Sequence, residues 1–192
     1  TRSWHDALGY NRAPMSHPPR NWSARLCVWI DAVSEWTGRA TAGLVLGMVL
    51  LIAYDVAMRY LFQAGSVALQ ELEWHLFALI FLLGAAYTLK HDDHVRVDLI
   101  YQSRWMGHRR RAWVDLVGTV LLLVPFCLLV IVSSWPFVQS AFVHAEGSPD
   151  PGGLPYRWLL KAAIPLGFGL LMLQGLANGL RALRTLLEKD TD

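Results

Sequence analysis

The sequence predicts an all-α membrane protein: four transmembrane helices preceded by an N-terminal interfacial amphipathic helix. Three observations carry that reading. The 192-residue chain is 54% hydrophobic and only 17% charged, whereas charged residues make up about 25% of an ordinary soluble domain. The apolar residues gather into four long stretches, each able to supply the roughly 20 residues that cross about 30 Å of hydrocarbon. Lysine and arginine then alternate between the flanks of those stretches, as the positive-inside bias requires.

The same composition excludes other classes. A disordered chain lacks this apolar content. A net charge of +2, with Lys and Arg scattered among apolar segments, gives no basic face for nucleic acid. Two cysteines, Cys27 and Cys127, make neither a disulfide framework nor a metal site.

Residues 1–21 are polar, basic and broken by prolines, and are expected to form a cytoplasmic tail without the apolar core of a secretory signal. From 22 to 36, Trp22, Leu26, Trp29, Val33 and Trp36 recur at steps of four and three. That spacing sets three tryptophans on one helical stripe. The segment reads as a helix lying on the cytoplasmic leaflet; its rival is a dry heptad contact with a partner helix.

A four-helix membrane domain is expected over 37–181, with spans at about 40–62, 69–89, 113–135 and 156–180, and a cytoplasmic tail at 182–192. The third apolar stretch outruns one crossing. From Trp113 to Trp135 is about 33 Å of helix, which puts a tryptophan at each interface. Trp158 marks the outer end of the fourth span in the same way, so Trp22, Trp29, Trp36, Trp113, Trp135 and Trp158 are the expected interface anchors. Pro136 is expected to break or kink the third helix, sending 137–144 beyond the bilayer or along its outer surface. Pro125 is expected to kink the middle of that span.

Orientation follows from counting cations. Arg2, Arg12, Arg20, Arg25 and Arg39 precede the first span, and none lies between the first and second. Lys90, Arg96, Arg104 and Arg109 to Arg111 fill the central connection, Arg157 stands alone before the fourth span, and Arg181, Arg184 and Lys189 follow it. Both termini and the central connection should therefore be cytoplasmic.

Charges within or beside a membrane are costly, so each calls for a role. Asp55, Arg59, Glu71, Glu73, His75, His144, Glu146, Arg157 and Lys161 all fall toward the outer side of this topology. An ion path is one reading. Helix pairing, with Arg59 reaching Asp55 on its own helix or Glu71 or Glu73 across the turn and with Arg59 and Lys161 snorkelling, is the preferred one. His75 and His144 raise haem ligation, and with it a membrane anchor of a respiratory complex; a small channel is a further alternative. The polar run from His91 to Asp98 reads as an interfacial turn rather than a metal site. No nucleophile motif or phosphate-binding loop occurs, so an enzyme is not expected.

A family resemblance enters at a set of short motifs taken in order. They are Arg59-Tyr60-Leu61-Phe62, Glu71-Leu72-Glu73, Leu83-Gly84-Ala85-Ala86-Tyr87 and His94-Val95-Arg96-Val97-Asp98, then Glu146-Gly147-Ser148, Gly153-Leu154-Pro155 and Ile164-Pro165-Leu166-Gly167-Phe168. Together, over about 37–180, they resemble the small membrane subunit (the DctQ-type small permease) of tripartite ATP-independent periplasmic (TRAP) transporters. The resemblance implies a bacterial inner-membrane protein without a cofactor or substrate site of its own. It implies a heterodimer with a large membrane subunit, and a periplasmic binding protein that delivers a small organic solute for cation-coupled uptake, with sodium as the expected ion. Arg59, Glu71, Glu73, His94, Arg96, Asp98, Glu146 and Lys161 are then candidates for helix pairing or partner contact. Gly43 and Gly47 form a GxxxG in the first span, and Gly167, Gly169 and Gly175 thin the fourth. Such residues serve close helix contacts, within this chain or with the partner.

Overall fold

The computed structural model describes residues 22–91 and 108–187, which are helical apart from short connections. Among the described residues, four helices are long and apolar enough to cross a membrane. Helix α1 is Trp22–Leu61 and α2 is Val67–Lys90. Helix α3 consists of His108–Gly118, a π-helical turn Thr119–Leu123 and Val124–Val143, and α4 is Trp158–Leu187.

Three helices, α1, α3 and α4, run well beyond the spans read from sequence. Where composition separates a 22–36 helix from a 40–62 span, the backbone forms one uninterrupted helix of 40 residues. No proline or loop falls between them, and Thr37 and Thr41 return their hydroxyls to the helix carbonyls of Ser34 and Thr37. The 22–36 segment also packs against α4, through Cys27 and Ile30 beside Ala177 and Leu180. At the other end, α4 continues through Leu187, into the stretch expected to be a tail.

The prolines of α3 act differently from one another. Pro125 has no N–H to offer the carbonyl one turn back, and its ring crowds that carbonyl. The turn before it widens, and the Val124 N–H reaches five residues back to Thr119 O. A single π turn is a familiar way to relieve such crowding. Pro136 neither ends nor breaks the helix, which runs on to Val143. Its freed carbonyl, that of Val132, falls in the last third of α3, and residues 137–143 continue the helix.

Helix α4 is the hub. It packs on α1, α2 and both halves of α3, while α1 packs chiefly on α2. The interior is thin. Its largest fully buried side chains are Gln174, Glu71, Cys127 and Ser34 rather than Leu or Phe, because lipid makes apolar burial worth little and close backbone approach supplies the packing. Gly167 shows how close: a Cβ there would lie 2.8 Å from the Leu82 carbonyl oxygen of α2. At Gly175 a Cβ would lie 2.4 Å from Leu123 Cδ2 on the π turn. By contrast Gly43, Gly47 and Gly169 have nothing within 4 Å. The glycines therefore divide: Gly167 and Gly175 serve this chain, and the GxxxG of α1 faces outward.

Gly167→Leu should push α2 and α4 apart and destabilise the purified chain by about 1–3 kcal/mol, the usual range for overpacking. Thermal unfolding in detergent should register the loss, while Gly169→Leu leaves the midpoint within error.

Candidate functional site at the two ends of the bundle

Polar side chains concentrate at the two ends of the bundle. On the expected outer side, Asp55 sits nearly two turns before the end of α1 and is buried, at 2% exposure. Its Oδ2 accepts from Arg59 Nη2 on the next turn of the same helix. With the Gln70 amide oxygen turned toward the guanidinium, Arg59 Nη2 and Nη1 also donate to it at 2.6 and 3.0 Å. Arg59 thus ties the end of α1 to the start of α2 through Gln70, not through Glu71 or Glu73. Asp55 Oδ1 is buried without a hydrogen-bond donor among the described residues.

Glu71, 1% exposed, is turned to the connection between α3 and α4. Its Oε1 accepts from the Ser148 hydroxyl, and its Oε2 accepts from the Leu154 N–H at 2.6 Å. Ser148 and Leu154 are themselves joined, Ser148 N–H to Leu154 O at 3.1 Å, so one carboxylate gathers both sides of the loop. Gly153 permits this, since a Cβ there would fall 2.7 Å from Glu71 Oε2 and 2.4 Å from Ser148 Cβ. Gly152, at φ +81°, turns the chain where a side chain would be strained. Glu73, two residues along, makes no hydrogen bond or ion pair among the described residues.

The same loop is held at its ends. Glu146 accepts from Lys161 Nζ, whose ammonium also lies 3.8 Å from the Phe137 ring centroid. The Arg157 N–H donates to Glu146 O at 3.1 Å. His75 and His144 each bond a backbone carbonyl four residues back, Glu71 O and Ser140 O. Among the described residues no three His, Cys, Asp or Glu side chains group closely enough to hold a metal.

A second cluster lies at the expected cytoplasmic end. Gln174, fully buried, accepts from Ser34 Oγ at 2.7 Å and donates to Asp31 Oδ1 at 3.2 Å and to Asn178 Oδ1 at 3.3 Å. Arg181 bridges Asn178 Oδ1 at 2.7 Å and Asp31 Oδ2 at 2.5 Å. Asn178 donates on to Leu89 O of α2 at 3.3 Å. Beside it Glu35 accepts from Lys90 at 2.6 Å and contacts His91 at 3.3 Å and Arg39 at 3.7 Å. Three helices meet through this network. Gln174, Asn178 and Arg181 share a face at steps of four and three on a largely apolar helix, which was the signal for it.

Of the residues singled out from sequence, Glu146 and Lys161 meet one another, Arg59 and Glu71 have separate partners, and His94, Arg96 and Asp98 lie outside the described residues. Trp113 and Trp135 are exposed, and Trp158 packs edge-to-face on Phe142 at 5.2 Å.

Comparison with known proteins is consistent across two kinds of match. The family model described as tripartite ATP-independent periplasmic transporters, DctQ component, matches residues 48–185. The chain is 27% identical over 177 residues to the C4-dicarboxylate TRAP transporter small permease protein DctQ of Vibrio cholerae, covering 82% of this chain and 74% of that one. It is also 27% identical over 112 residues to a protein named as a TRAP transporter small permease in Haemophilus influenzae, covering 57% of this chain and 66% of that one.

Glu71→Ala should release the outer loop, leaving the Leu154 amide without its acceptor. Hydrogen exchange at Ser148 and Leu154 should quicken several-fold, with Glu73→Ala indistinguishable from the parent. Gln174→Leu should cost about 1–3 kcal/mol at the other end by orphaning the polar groups around it, measured by unfolding in detergent.

Proposed function

The chain belongs to the DctQ family of TRAP transporter components, and from that premise we propose that it is a non-catalytic scaffold for a large transport subunit. The two form a heterodimer in the bacterial inner membrane. The observation that carries this is the family match over most of the membrane domain, joined to four membrane-length helices. Neither end of the bundle carries groups arranged for bond-making chemistry; both are built as clasps. The chain also has no pair of broken spanning helices among the described residues, the feature from which transport sites are commonly built.

On this reading the outer clasp gives the complex a firm periplasmic edge. Glu71 holds the 144–157 connection against α2, and Glu146 with Lys161 holds it against α4. A firm loop loses little entropy on receiving a periplasmic binding protein. The Vibrio relative is named for C4-dicarboxylates, which supports a small organic acid as the solute. Sodium is the proposed coupling ion. The cation asymmetry of the flanks supports cytoplasmic termini and a cytoplasmic central connection. Trp113, Trp135 and Trp158 are proposed as interface anchors, and the described part of the 37–181 domain as the body that meets the partner.

Arg59 is the sharpest test. It is partly exposed at the end of α1, so it can hold the first hairpin and face the partner together. Arg59→Glu removes the Asp55 and Gln70 contacts and sets two carboxylates one turn apart. Recovery of the large subunit on the tagged chain should fall several-fold, with sodium-dependent uptake of a labelled C4-dicarboxylate falling in parallel; unchanged recovery and uptake would remove Arg59 from this role. Orientation is tested on a background lacking Cys27 and Cys127: Asp150→Cys should react with an impermeant maleimide from outside, and Leu187→Cys only after the membrane is opened.

A further inference from the structure

The run of tryptophans that opens α1 does not stop where the membrane begins. Trp22, Trp29 and Trp36 are 78%, 65% and 72% exposed. Continuing in steps of seven along the same helix gives Gly43, Leu50 and Ala57. The intervening fours and threes include Gly47, Tyr54 and Leu61. This is a heptad seam over the whole of α1, and it points away from the chain's own bundle. Cys27, Ser34 and Asp55, which are buried, lie on the other side of the helix, and buried Ile30 flanks the seam on the side turned to α4. Such a seam is the signature of a helix wrapped on a second long helix.

Lipid cannot cover it. Forty residues make about 60 Å of helix, and even at a 40° tilt about 46 Å would lie along the normal, against about 30 Å of hydrocarbon. Trp22 to Trp36 alone spans about 21 Å of axis. An aromatic belt has only the headgroup layer to sit in, roughly 5–8 Å on each side. One of the three tryptophans fits a belt; three in file on a continuous helix do not. Tyr54, about two turns from the end of α1, is 54% exposed on the outward face, and its hydroxyl makes no hydrogen bond among the described residues. Gly43 and Gly47 have open space where a Cβ would be.

The distribution of size along the seam identifies the occupant's kind. A second copy of this chain in the same membrane would run parallel and in register, setting Trp on Trp at three layers and Gly on Gly at the next. The helices would be forced apart at one end and drawn together in the middle. The exposed Arg25 and Arg39 would find Ile30 and Leu44 opposite rather than acids. A non-identical helix with small residues beside the tryptophans and bulky ones over the glycines fits at even spacing. We infer that the outward seam of α1 receives one long helix of the large membrane subunit, packed along its full length from Trp22 to Leu61. This rests on the reading of the chain as a TRAP small permease, and assigns that contact to one face.

The test uses the full-length chain co-expressed with its large subunit. Benzoylphenylalanine is placed at Trp36 or Leu50, and at Leu122 of α3, which is also outward. Light should join the first two to the large subunit and leave Leu122 without a protein adduct. Gly43→Ile with Gly47→Ile should lower recovered complex by roughly tenfold or more, as expected for loss of a close glycine contact. Helicity and monodispersity of the chain alone should stay unchanged, since neither site packs internally. Adducts to a second copy, to another segment of the same chain, or to lipid only while the complex stays intact, would each overturn the seam. If the unsubstituted chain fails to co-purify with the large subunit, the subunit reading falls and the seam with it.

Discussion

A polar group in hydrocarbon has no water to turn to, and its partner must come from the protein. Most of this structure follows from that one constraint. Glu71 would be untenable alone near the start of α2. It is kept there by the Ser148 hydroxyl and the Leu154 amide, which obliges the α3–α4 connection to fold back over the bundle. Gln174 makes the same demand at the other end and is met by Ser34, Asp31 and Asn178. The connections and the N-terminal extension are therefore held by the needs of two buried side chains more than by apolar burial.

That arrangement suits a thin protein. A soluble bundle of this length would bury rows of Leu and Phe, because water drives them inward. Here the apolar residues are free to face outward, and the inside is left to Ala, Gly and a few polar groups. Helix α4 can then touch all three others at once, using Gly167 against α2 and Gly175 against the π turn of α3. The interior gives specificity of register, since a misplaced turn would strand Gln174 or Glu71 without partners. It does not give a closed body. Long apolar faces on α1 and α3 are left over, with α4 between them.

The sequence made the membrane part legible because the signals there are long and additive. Four apolar stretches and the alternation of Lys and Arg need no knowledge of contacts. It was less informative wherever one backbone atom decides the outcome. Arg59 was offered Asp55 on its own helix and Glu71 or Glu73 across the turn, and the structure gives it Asp55 and the neutral Gln70. Glu71 had gone instead to a loop amide more than eighty residues away, which no charge pattern announces. Continuity of α1 was hidden because a change from amphipathic to apolar composition resembles a boundary, although no helix-breaking residue marks one. Pro136 was expected to break or kink the helix, and it does not break it: the helix runs on to Val143. Gln174 was overlooked because a single amide in an apolar run alters hydropathy very little, while its energetic weight in hydrocarbon is large.

The two leftover faces are not alike, and the difference bears on how the chain divides its surface. The outward side of α3 carries Val120, Leu121, Leu122, Leu129 and Val132, all exposed, with no glycine between them. Bulky, flexible and uniform, such a surface accommodates disordered acyl chains without needing a fixed complement. The outward side of α1 alternates large and absent side chains, and carries a tyrosine hydroxyl without a partner among the described residues. An uneven surface of that kind is poorly matched by fluid lipid, which fills gaps at an entropic cost, and is well matched by a rigid helix of opposite relief. The same requirement that fixed the interior thus extends outward: a polar or hollow position in the span must be completed by protein. On the proposed seam, the protein that completes α1 is not this chain.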